Sequence, residues 1–250
     1  MREGARDSKE PKPAPSEASL GVRLLTELFG TFALVVASAG ATTISAFTGG
    51  SLTHVERAAA GVLMVVALIY ATGDLSGAHV NPAITLAFAL RRVFHWRLVL
   101  PYWAAQMAGA LLGAAALRAL FGLAGDLGTT HCSHGLGKGV AVEALFTFLL
   151  GVVVLNTSNR HKVVGPNAAL GVGATVFLGH LVAEPVSGAA LNPARALGPA
   201  LVSGNLDGAW VYLAGPMAGA MAAVVITRIL RGPPKDCEQT AAEGEEGASH

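Results

Sequence analysis

Ser76-Gly77-Ala78-His79-Val80-Asn81-Pro82-Ala83 and Ser187-Gly188-Ala189-Ala190-Leu191-Asn192-Pro193-Ala194 are two copies of one stretch, and the reading of this chain turns on them. In each copy a small turn leads into Asn, Pro and Ala, and then into an apolar run. Asn is a favoured helix N-cap because its side-chain oxygen accepts an orphan backbone N–H. Pro suits the first helical position, where no N–H is needed and φ is already correct. Each copy therefore predicts a helix start. The helices that follow are short, over about 82–90 and about 193–202, and stop at Arg91-Arg92 and near Gly204. Eight or nine residues rise only about 12–14 Å, roughly half of a hydrocarbon core of about 30 Å. Two half-length helices in a hydrophobic chain predict broken membrane helices, a form tolerated only where the backbone is buried in protein or lines a wet cavity.

Composition agrees. Hydrophobic residues make up 52 % of the 250 and charged residues 13 %, against roughly 25 % charged in soluble chains. A net charge of +1 gives no reason to expect a nucleic-acid partner. The 31 glycines lie mostly inside apolar runs, where they permit close helix contact. The two cysteines form no disulfide framework.

Outward from the two boxes, apolar runs predict six full spans, at about 22–46, 58–73, 99–121, 138–156, 166–186 and 209–230. Arg91, Arg92, His95 and Arg97 form a basic hinge between the first half-helix and the third span. Residues 1–20 and 232–250 are polar and are expected to be disordered tails around a channel domain over 21–231. No cleavable signal is expected ahead of the first run. With both tails inside, only Arg57, Arg118, Lys138 and Arg195 of the 17 Lys and Arg lie outside, leaving thirteen inside. The positive-inside rule supports that orientation. The halves, about 22–121 and 138–230, repeat one another. Glu27-Leu28-Phe29-Gly30-Thr31-Phe32 matches Glu143-Ala144-Leu145-Phe146-Thr147-Phe148, and Met107-Ala108-Gly109-Ala110 matches Met217-Ala218-Gly219-Ala220. Each half holds an odd number of full spans, so the second is inverted. Inverted repeats with discontinuous helices place a site where the half-helices meet, at the midplane.

Two Asn-Pro-Ala boxes after Ser-Gly, Arg195 behind the second, and inverted halves with Glu27 and Glu143 together resemble an aquaporin, or major intrinsic protein, over roughly 22–230. Leu68-Ile69-Tyr70-Ala71-Thr72-Gly73 with Ser76-Gly77-Ala78-His79 is similar to the nodulin-like branch and its bacterial relatives. The resemblance implies an all-α bundle of six transmembrane helices and two half-helices. It also implies a homotetramer in a cell membrane, both termini cytoplasmic, passing water and small uncharged solutes such as glycerol while excluding protons and ions. No catalysis, cofactor or metal is implied.

Residue by residue, the resemblance implies pore motifs at Asn81, Pro82, Ala83, Asn192, Pro193 and Ala194, whose amides donate to a permeating molecule. It implies a selectivity filter of Gly61, His180, Ala189 and Arg195, with Gly61 standing where water-selective relatives carry an aromatic residue. Backbone carbonyls of Gly77, Ala78, His79, Gly188, Ala189 and Ala190 are expected to line the path. Val65, Ile69, Val172 and Val176 are expected on an apolar wall. Glu27 and Glu143 are expected to accept N–H groups from the unwound turns, with proton relay the alternative. Asp74 is expected to be solvated just inside the cytoplasmic mouth, with gating the alternative. His131-Cys132-Ser133-His134 is a loose ligand cluster without an obvious fourth member. Two other functions fit the repeats: a coupled secondary transporter, and a junction protein of low flux.

Overall fold

Six helices carry enough apolar length to cross a membrane in the computed structural model, which describes residues 18–157 and 167–244. They are α1 (Leu20–Phe47), α2 (His54–Ser76), α4 (Trp96–Phe121), α5 (Leu136–Thr157), α6 (Ala168–Ser187) and α8 (Val211–Arg231). At 20 to 28 residues each rises about 30 Å or more. Their apolar side chains largely face outward: Leu63, Leu100, Leu120 and Ile229 are exposed, while Glu27, Thr31, Gln106 and Glu143 are buried. That inside-out pattern suits a surface solvated by hydrocarbon.

Two short helices complete the bundle, α3 (Pro82–Arg91) and α7 (Pro193–Ser203), each entered through one of the Asn-Pro boxes. The Asn81 side chain accepts from Ala83 N, and that of Asn192 from Ala194 N and Arg195 N. Both are the N-caps the motif predicts. Gly77 and Gly188 end α2 and α6 in the left-handed conformation at φ +81°, which costs glycine little. The chain then turns back toward the bundle centre.

The repeat is visible in the packing. Gly109 and Gly113 of α4 lie against the α1 backbone at Leu28 and Phe32, and Gly215 and Gly219 of α8 lie against α5 at Val140 and Ala144. A Cβ at Gly113 would come within 2.9 Å of the Phe32 carbonyl oxygen, so the small-xxx-small spacing is what lets these helices cross closely.

Element ends differ from the sequence reading by a few residues. The largest shift is at α2, which starts at His54 rather than about 58. Thr53 and Glu56 form a reciprocal capping box there, and it holds the extra turn. The polar loop after α4 contains a left-handed turn, with φ of +54°, +51° and +54° at Gly125, Asp126 and Leu127 and the Leu127 side chain fully buried. The basic stretch 159–162 lies outside the described residues, as does most of the N-terminal tail.

The C-terminal tail departs most from expectation. Its polar composition predicts no structure over 232–250, yet α9 (Asp236–Glu243) docks beside the ends of α2 and α3. Its anchor is Arg91, fully buried at the end of α3, which donates to both Glu238 carboxylate oxygens at 2.9 and 3.1 Å and to the Gly232 and Pro233 carbonyls. His95 meets Glu243 at 2.7 Å, and the His79 ring meets the Ala242 carbonyl at 2.8 Å. Polar contacts to distant helices and one small buried side chain, Ala242, hold this segment, too little apolar surface for a sequence pattern to reveal. Breaking a buried pair by deleting one partner costs about 3–5 kcal/mol. Arg91→Ala is therefore expected to release α9. Limited proteolysis should cleave the variant after residue 231 at least ten times faster than wild type.

Candidate functional site

The two unwound turns, 77–81 and 188–192, meet at the centre. Each is held by a carboxylate from its own half. Glu27 accepts from Ser76 Oγ (2.8 Å), His79 N (2.9 Å), Val80 N (2.7 Å) and Gln106 Nε2 (2.7 Å). Glu143 accepts from Ser187 Oγ (2.7 Å), Ala190 N (2.9 Å) and Leu191 N (2.8 Å). Two tyrosines at an offset of 110 act alike: Tyr102 OH donates to Ser76 O at 3.1 Å and Tyr212 OH to Ser187 O at 2.6 Å. Both carboxylates are fully buried, and neither lies on the wall of the central cavity. This is how a chain satisfies irregular backbone away from water.

The turns are strained as well as held. Ala78, Val80, Ala189 and Leu191 all have positive φ, between +41° and +52°. A β-branched residue such as Val80 rarely adopts that region, and such outliers gather at functional sites. The amides then cross between halves. Asn81 Nδ2 donates to Leu191 O at 2.9 Å, and Asn192 Nδ2 donates to Val80 O at 2.8 Å. Each NH₂ thus gives one hydrogen to the opposite turn. A carboxamide carries two, and both asparagines remain on the cavity wall.

That cavity runs from the level of Thr157 and Ala168 past the two asparagines to Gly61, His180 and Arg195. Val65, Ile69, Val172 and Val176 line it on the apolar side, and Gly77, Ala78, His79 and Ala190 on the side of the turns. A second cavity opens beyond it, lined by Arg57, Thr130, His131, Glu184 and Gly188. Ser38, His180 and Arg195 line both, and so form the ring between them.

The four expected filter residues are therefore not equivalent. Gly61, His180 and Arg195 are on the wall, whereas Ala189 is fully buried and lines neither cavity. Its neighbours Gly188 and Ala190 take the wall positions instead. The His79 side chain also turns away, packing against Phe88, Phe94 and Tyr102. Arg195 is almost fully buried in the first turn of α7 and donates from Nη1 to Gly128 O at 3.0 Å. Its Nε has no protein partner among the described residues.

Three residues on or behind this ring escaped the sequence reading: Ser38 on the ring itself, Glu184 on the outer cavity, and His54, which lines neither cavity. Ser38 comes from α1, far from either box. Glu184 lies 3.7 Å from the His180 ring and from His54, and 3.4 Å from Arg57. The His54 ring also reaches the His180 carbonyl at 3.1 Å. Only the i, i+4 spacing of His180 and Glu184 was visible in the chain. Asp74 lies on neither cavity wall. His131 pairs with Asp126 at 3.1 Å, and among the described residues no three potential ligands converge on a metal site. Cys132 and Cys237 are unbridged.

Comparison with known proteins follows the same lines. The model of the major intrinsic protein family matches residues 16–227. The chain belongs to that family. Among its relatives is Aquaporin NIP1-1 of Oryza sativa subsp. japonica, 42 % identical over 211 residues, covering 84 % of this chain and 74 % of the relative. Probable aquaporin NIP4-2 of Arabidopsis thaliana is 36 % identical over 220 residues, covering 87 % and 77 %. The aquaglyceroporin from Plasmodium falciparum shares the fold, with a TM-score of 0.75 at 24 % identity over 84 % of this chain and 96 % of the other. This major intrinsic protein is accordingly a multi-pass membrane protein with six spanning helices and two half-helices.

Proposed function

We propose that this protein is a passive channel for water and small uncharged solutes such as glycerol. One observation carries the reading. Two inverted half-helices bring Asn81 and Asn192 together on one wall of a cavity whose other wall is apolar. A permeating molecule exchanges hydrogen bonds along the wall of the turns and finds none along the valines, so it is held weakly enough to leave. Both half-helix N-termini point at the same place, each equivalent to about +0.5 charge, and Arg195 adds a full charge at the ring. A cation entering from either side meets positive potential. An arginine and the positive ends of half-helices excluding protons and cations is the known behaviour of aquaporin-type pores, and it is carried over to this chain from them.

The same wall argues against coupled transport. No Asp or Glu among the described residues lines the central cavity, and Glu27 and Glu143 are occupied by the turns they hold. Labelled glycerol is expected to equilibrate across proteoliposomes at a rate that a protonophore leaves unchanged. Accumulation above the bath concentration, abolished by the protonophore, would instead indicate a coupled transporter. Chemistry on a substrate is not part of this reading: the Ser38 hydroxyl, which shares the ring with His180, donates to the Leu34 carbonyl and not to a base. The assembly we infer is a homotetramer with one pore per subunit and both termini cytoplasmic. Neither cysteine is on a cavity wall, so mercuric ions are expected to leave water flux within about two-fold of the untreated rate, read by stopped-flow light scattering.

A further inference from the structure

We propose that Ser38 is a specificity-determining residue of this pore, adding a hydrogen-bond acceptor to the ring of His180 and Arg195 that favours small polyhydroxylated neutral solutes. The proposal rests on the channel reading above and explains what stands where Gly61 has no side chain. A Cβ at Gly61 would come within 2.9 Å of Ser38 Cβ and 3.4 Å of Ser38 Cα. At this level α1 has therefore closed against α2, and Ser38 is the side chain that occupies the flank. It lines the central cavity and the outer one, as His180 and Arg195 do.

The orientation of its hydroxyl follows from one bond. Ser38 Oγ donates to Leu34 O at 2.8 Å. A hydroxyl has one hydrogen and two lone pairs, so with the hydrogen spent on the helix the oxygen faces the cavity as an acceptor. Arg195 can only donate. The ring thus presents donor and acceptor from different helices, where an apolar side chain at Gly61 would have left only the donor. A solute with a hydroxyl on each carbon must shed several water hydrogen bonds to enter. It recovers one at Arg195 and a second at Ser38. A site built to hydrogen-bond a hydroxyl discriminates more strongly than one built on size alone.

Size and hydrogen bonding predict opposite results for Ser38→Ala. The variant is smaller, so if width alone governs passage, glycerol permeability rises. If the acceptor matters, glycerol permeability falls about three- to ten-fold more than water permeability does, as expected for loss of one neutral hydrogen bond. Both are read by stopped-flow light scattering on proteoliposomes of the full chain, with glycerol as the probe. A glycerol-to-water ratio that is unchanged or higher in Ser38→Ala would overturn the proposal. Ser38→Thr and Ser38→Val are the second comparison, should Ser38→Ala fail to fold. The two side chains are nearly equal in size and only threonine keeps the hydroxyl, so the proposal expects a higher ratio in Ser38→Thr, while equal ratios overturn it. Wild-type protein with no flux above empty liposomes would overturn the channel reading itself, an outcome distinct from a conducting wild type whose ratio is insensitive to position 38.

Discussion

Glu27→Leu is expected to give no folded protein. Glu27 accepts four hydrogen bonds from buried groups: Ser76 Oγ, His79 N, Val80 N and Gln106 Nε2. Leucine fills much of the volume and accepts nothing. Each stranded donor costs about 1–3 kcal/mol, so the total is on the order of a typical domain's whole stability. The backbone donors have no alternative, because the turn that carries them is unwound and walled in by protein. Glu143→Leu is expected to fail for the same reason through Ser187, Ala190 and Leu191. The check is the yield of monodisperse protein in mild detergent. A proton-relay role would give a different result: Glu27→Leu would fold, keep its melting temperature and lose only gradient-driven uptake.

Arg195→Val is expected to fold and to leak cations. One charge acting over about 5 Å at an effective dielectric of about 20 is worth about 3 kcal/mol, which is roughly 100-fold in rate. The two half-helix ends stay in place, so the leak remains far below that of an open ion pore. The bond from Arg195 to Gly128 O is the single hydrogen bond its guanidinium makes to protein among the described residues, so its loss should lower the melting temperature by no more than a few degrees. Sodium flux into proteoliposomes, measured with a trapped indicator, reads the first effect directly. An Arg195→Val variant with wild-type sodium impermeability would show that the half-helix ends alone supply the barrier.

Much of this architecture was legible in the chain because the physics is local. An Asn-Pro pair caps a helix wherever it occurs, and an apolar run of about 20 residues spans a bilayer in any order of residues. The repeats then set the inversion, since an odd number of spans leaves no other choice. The ring was legible only in part. Arg195 follows directly on one box, and Gly61 and His180 entered through resemblance. Ser38 had no signal of its own, because a serine inside an apolar helix is common and its importance comes from what α2 lacks at Gly61. Glu184 likewise depends on His54 and Arg57 arriving from another helix. The C-terminal helix was missed for a related reason. Residues 236–243 have no strong apolar run to read, and their anchor, Arg91, sits well over a hundred residues earlier in a stretch that reads as a basic hinge. Ala189 shows the converse: a position carried over by resemblance that the backbone turns off the wall.

The most direct test is osmotic shrinkage of proteoliposomes carrying the purified wild-type protein, followed by stopped-flow light scattering with an impermeant osmolyte and then with glycerol. The account predicts water efflux at least ten-fold faster than from empty liposomes, with the low activation energy of a continuous hydrogen-bonded path. It also predicts re-swelling in glycerol faster than the lipid alone allows. Monodisperse protein that leaves both rates at the level of empty liposomes would contradict it.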